Sequence, residues 1–203
     1  MPRIRLELEE LRLDRPKKRW NIYFVIATPH PLHPDRYAVS MLPQPIAPLR
    51  RPADNLLDFV ATGNGADGLE VLERDMPPNR SVEVLCWVMH SRRIARHFGD
   101  IIDELADSLS VSATPILGNV LGRAHQWVAV ARGSLQSLGA IGSSLRSIRD
   151  RNLGFVNLGE QFGPEFERET ELDRSNTLST GFGELVWTWT TFGPTSSIPP
   201  RTP

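Results

Sequence analysis

Apolar and polar positions alternate at the start of the chain, with Ile4, Leu6 and Leu8 set against Arg5, Glu7 and Glu9, as a half-buried strand requires. The alternation resumes one step out of phase at Leu11 and Leu13. A β-bulge near Glu9–Glu10 is needed to return both apolar sets to one face. Pro16, within the basic run 15–19, ends the strand because proline cannot donate to a ladder. Ile22 to Ile26 is then nearly continuously apolar, which predicts a central strand covered on both faces, or a sandwich strand with one face under helices. Shorter strands are expected over 37–42, 56–61, 69–72 and 82–89, separated by proline-rich loops and by a glycine turn over 62–68. Strands at this short spacing predict an all-β sandwich.

From Ile94 onward the period changes. Ile94, Phe98, Ile101, Ile102, Leu105 and Leu109 recur every three or four residues, the pattern of an amphipathic helix. Thr114 and Pro115 offer a cap and a first-turn proline for a second helix. Leu117, Leu121, Ala124, Val128, Ala131, Leu135, Leu138, Gly142 and Leu145 then step by fours and threes, the seam of a long helix lying along another. Five glycines in this stretch each weaken a helix by up to ~1 kcal/mol, a cost that close approach of another backbone would offset. Residues 93–149 therefore read as a helical hairpin. Strands return over 153–158, 165–173 and 184–192, and the proline-bearing stretch 193–203 reads as a flexible tail. The expected fold is one domain over 1–192, an antiparallel β-sandwich of about eight strands with the hairpin inserted before the last strands.

Composition narrows the function classes. The 203 residues are 40% hydrophobic with a net charge of -1, so binding to nucleic acid through overall charge is not expected. A lone cysteine, Cys86, excludes an internal disulfide and fits a reducing, cytoplasmic setting. The first residues lack a secretory pattern, and no apolar run is long enough for an ordinary transmembrane helix.

Candidate chemistry is sparse. Cys86 sits between Leu85 and Trp87 in a predicted strand and reads as a buried structural thiol. His30, His33 and Asp35 offer two imidazoles and a carboxylate within six residues, with His90 as a possible fourth ligand. The surrounding prolines make a stiff surface loop the preferred reading, and a metal-dependent enzyme the alternative. Gly63, Gly65 and Gly68 match a dinucleotide spacing but lack the following helix such a site needs. No metal or cofactor is expected, and no catalytic residue is assigned.

Charge patterning is more informative. Arg15, Lys17, Lys18 and Arg19 form a basic turn suited to an acidic partner or a membrane surface. Glu165, Glu167, Glu169, Glu171 and Asp173 fall on alternate positions of one predicted strand and so share a face. Such a stripe either protects a solvated edge strand from mispairing or meets a basic partner, including the 15–19 turn of another copy. Leu117, Leu121, Ala124, Val128, Ala131 and Leu135 on the predicted helix seam are the other partner-binding candidates.

His33-Pro-Asp35-Arg-Tyr37-Ala-Val39-Ser-Met41-Leu42 resembles the "aspartate, small residue, Tyr-Val, hydrophobic" strand of the C-two domain family, which binds calcium and lipid. Ser81-Val-Glu-Val-Leu-Cys-Trp87-Val, followed by Phe98-Gly99-Asp100-Ile-Ile102, is similar to another segment of that family. The resemblance implies an eight-stranded sandwich used for docking to membranes or proteins. Calcium binding is not implied: the matching loops hold Asp35 alone in one and His90-Ser91-Arg92-Arg93 in the other. The functional expectation is a non-enzymatic interaction or assembly module, docking a protein or a second copy through the hairpin or the charged strand. Peripheral membrane binding without calcium is the alternative.

Overall fold

The computed structural model describes residues 2–14, 19–30, 36–42, 49–50, 55–59, 68–91, 127–131, 150–166 and 170–193. Its strands run in order β1 (Arg3–Leu13), β2 (Arg19–Trp20), β3 (Ile22–Pro29), β4 (Arg36–Leu42), β5 (Leu49–Arg50), β6 (Leu56–Asp58) and β7 (Leu69–Asp75). They continue as β8 (Ser81–Val82), β9 (Leu85–His90), β10 (Trp127–Ala131), β11 (Arg151–Asn157), β12 (Glu160–Gln161), β13 (Thr170–Thr177) and β14 (Gly183–Phe192). A single 3-10 turn, Pro164–Phe166, is the only helical element among the described residues.

Two antiparallel sheets carry the architecture. The first has the order β13-β14-β1, with β7 and β6 sharing the second side of β1: β7 pairs along Arg3–Leu8 and β6 along Glu10–Arg12. The second has the order β10-β4-β3-β9-β11. Two short ribbons, β12 with β8 and β2 with β5, complete the pairing. The β1·β14 register slips between Leu8 and Glu10, the bulge that the out-of-phase leucines demand. Its effect is to send Ile4, Leu6, Leu8, Leu11 and Leu13 into one core.

That core lies between the sheets. Leu185, Trp187 and Trp189 of β14 join the β1 side chains, and Ile22, Phe24, Ile26, Cys86 and Val88 come from β3 and β9. Phe162 stacks edge-on against Trp189 at 5.2 Å and against Phe166 at 4.9 Å, and the Trp189 indole donates to the Leu158 carbonyl at 2.9 Å. The result is a sandwich-like packing of two sheets. The second sheet is apolar on its other face as well, where Tyr23, Val25, Ala27, Val39, Met41, Leu85, Trp87 and Met89 are buried. The continuous apolar run of β3 is thus explained by burial on both faces.

The expected helical hairpin over 93–149 is not found. No α-helix occurs among the described residues, and the one described piece of that stretch, Trp127–Ala131, is strand β10. It pairs antiparallel with β4, Val128 opposite Val39 and Ala131 opposite Arg36. Tryptophan and valine favour a pleated surface, and in Trp-Val-Ala-Val-Ala the two valines share one face at period two. A step of three from Val128 to Ala131 mimicked a helix seam. Leu117, Leu121, Ala124 and Leu135 lie outside the described residues. Among the described residues no helix is long and apolar enough to cross a membrane.

Candidate functional site

The sheets end in edges, and the edges differ. β13 forms eight consecutive pairs with β14, from Thr170↔Thr191 to Thr177↔Glu184, without a register slip. It pairs with no other described strand. Its residues alternate half-buried and exposed and are exposed from Ser175 to Thr177. Leu172 leans on the core, while Glu171, Asp173, Ser175 and Thr177 share the outer face. No proline or glycine interrupts it.

The chemistry of that outer face is acidic beside β13. Asp173 lies opposite Thr188, whose hydroxyl sits between two carboxylates, donating to Asp173 Oδ1 at 2.9 Å or to Glu9 Oε1. Glu9 stands in the bulge of β1, two residues past Glu7, which lies opposite Thr188. Glu171 lies opposite Thr190 and is exposed. Among the described residues neither Glu171 nor Asp173 enters an ion pair.

Cations on β1 and β13 bind carboxylates other than Glu171 and Asp173. Arg3 and Arg5 both bind Glu73, at 2.6 and 3.1 Å, and the Arg5 guanidinium lies over the Phe192 ring at 4.9 Å. Arg174, the one cation on β13, points to the opposite face and binds Glu160 at 2.9 Å. The edge therefore presents two unneutralised carboxylates two residues apart.

The edge at β11 is closed. The turn between β13 and β14 folds over it: Ser179 N donates to the Phe155 carbonyl at 3.1 Å, and Phe155 N donates to Ser179 Oγ at 2.9 Å. Thr180 Oγ1 donates to the Leu153 carbonyl, and Asn152 Oδ1 takes the Gly154 N–H at 2.9 Å. Gly154 has φ +155, and a Cβ there would fall 2.6 Å from the Leu178 Cβ, so only glycine lets the turn approach this closely. Arg151 adds its guanidinium over the Phe182 ring at 4.5 Å.

Of the expected acidic stripe, two members stand on one strand face. Glu171 and Asp173 do so on β13, but Glu165 belongs to the 3-10 turn, and Glu167 and Glu169 lie outside the described residues. A single strand over 165–173 is thus corrected: Gly163 and Pro164 open a turn, and Phe166 N donates to the Gly163 carbonyl at 3.1 Å. Arg19 is in β2, its backbone opposite Arg50, while Arg15, Lys17 and Lys18 lie outside the described residues. His30 is buried at the end of β3, and His33 and Asp35 lie outside the described residues. No group of metal-binding side chains occurs among the described residues.

Cys86, on β9, is wholly buried in the core, and desolvation pushes its thiol well above the ordinary range. A further buried polar group joins β3, the end of β9 and the start of β11. Tyr23 OH donates to Asp150 Oδ2 at 3.0 Å, and Ser91 Oγ donates to Asp150 Oδ1 at 3.5 Å. Sequence reasoning missed Thr188 and Glu9. Threonine at alternate positions of the last strand, Thr188 and Thr190, was the available signal that this face of β14 is polar.

No protein-family model matches this chain, and no curated protein matches it. The likeness to the C-two family therefore extends to antiparallel sheets in a sandwich-like arrangement and gains nothing finer from relatives.

Proposed function

We propose that this protein is an interaction module whose β13 edge accepts an extended segment of a partner as an added strand. The observation that supports it is the contrast between edges: β11 is covered by Ser179 and Thr180, whereas β13 runs unbroken and in regular register with β14, half-buried and exposed residues alternating, and pairs with no other described strand. Unpaired main-chain N–H and C=O groups along such an edge give affinity to any extended chain, and side chains at alternate positions select among them.

The test uses amide hydrogen exchange on the whole chain with an octapeptide alternating valine and serine, an uncharged strand former. The expected result is slowed exchange confined to Thr170–Thr177. Unchanged exchange there, or protection elsewhere only, overturns the reading.

A further inference from the structure

The docking edge carries a charge code, and we infer that its occupant is a basic extended segment with lysine or arginine at two positions separated by one uncharged residue. This inference rests on the edge-docking reading above and adds the partner's chemistry.

A second copy is the first occupant to consider, because an open edge is self-complementary in hydrogen bonding. Antiparallel pairing of two β13 strands about a two-fold axis aligns like faces, so outer residues oppose outer residues. The two registers that pair the strand most completely place Asp173 opposite Asp173 or Arg174 opposite Arg174. Sliding one step toward the strand start opposes Glu171 to Asp173. Each central register thus sets like charges directly across from one another, which destabilises a pair of strands. β13 resists its own copy.

The same residues favour a cationic strand. Glu171 and Asp173 stand on one face at spacing two, so cations at positions i and i+2 of an added strand meet both. Asp173 stands 2.9 Å from the Thr188 hydroxyl, whose single proton it shares as acceptor with Glu9, so the carboxylate is placed beside β14 before the partner arrives. On the opposite face Arg174 is satisfied by Glu160 and Leu172 lies against the core, so the intervening residue of the partner should be uncharged and apolar. Register and charge together specify a cation–apolar–cation segment.

Three octapeptides test this, alternating valine with lysine, with serine or with glutamate, each titrated at low salt and followed by amide exchange along Thr170–Thr177. The lysine peptide is expected to bind about 2–30-fold more tightly than the serine peptide, the range for two exposed ion pairs, and the glutamate peptide more weakly than either. Glu171→Gln with Asp173→Asn should bring the lysine and serine peptides to equal affinity, and high salt should do the same. Equal protection by the lysine and serine peptides overturns the charge inference and leaves edge docking standing. Protection by none of the three overturns both.

Discussion

The two edges at β11 and β13 belong to different sheets yet are built from neighbouring residues, since the turn that closes one is the continuation of the other. Leu178 to Gly181 folds back so that Ser179 and Thr180 occupy the main chain of Phe155 and Leu153. The strand that delivers this turn, β13, is left with its own outer side unpaired among the described strands. Closing an edge takes a glycine, two hydroxyls and a tight approach, an arrangement found at β11 and not at β13 among the described residues. The comparison teaches that the protection of β11 is built by specific residues of one turn, Ser179 and Thr180, rather than by strand pairing.

The largest expected effect comes from breaking the closed edge. Gly154→Ala drives a Cβ against Leu178 in a backbone conformation that side chains rarely adopt, and should cost about 2–4 kcal/mol in urea denaturation. A variant that unfolds at the wild-type midpoint would mean the turn does not need that approach. Next comes a contrast that touches neither edge. The Cys86 thiol stays protonated in the fold, while in the unfolded chain it ionises around 9.0. Its contribution to stability is therefore complete below that value and declines as pH rises above it, by at most about 1.4 kcal/mol per pH unit. Cys86→Ala should lack this alkaline decline, measured as the difference in denaturation midpoint between pH 8 and pH 10; parallel losses in both proteins would refute it.

Smaller effects sharpen the edge comparison directly. Ser179→Ala removes the acceptor of the Phe155 N–H and should cost about 0.5–1.5 kcal/mol, with faster exchange at that amide. If Phe155 exchange is unchanged, the turn covers the strand without relying on this hydroxyl. Glu171→Gln lies at the open edge, exposed and outside any described ion pair, and should change stability by no more than about 0.5 kcal/mol. A larger loss would give this carboxylate a structural role and remove it from the docking face.

How much of this was legible depends on the range of the interaction. The bulge in β1 could be read because five leucine and isoleucine positions within eleven residues cannot share a face without it. The double-sided burial of β3 followed from an unbroken apolar run. The hairpin failed because steps of three and four also pass through Val128 and Ala131, and nothing in their spacing excludes a five-residue strand. The acidic stripe was half right: Glu171 and Asp173 share a face, but Pro164 had already broken the strand in which Glu165 was placed. That β13 lies at an edge was expected from repelling charges. Which edge is closed could not be read, because Ser179 meets Phe155 only through the long-range packing of the two sheets.

β14 lies between β13 and β1, and Thr188 on it meets Glu9, 179 positions earlier in the chain. During synthesis β1 is translated long before its main partner exists. Until then only β6 and β7 can hold it, along a single side. The ladder of widest sequence separation therefore closes after the other described strands have been made, and its closure bears a loop entropy that rises with the logarithm of that separation. A ribosome stalled before Gly183 would leave β1 with one whole side of its ladder unmade and the core without Leu185, Trp187 and Trp189, a state that invites chaperones before the partner strand.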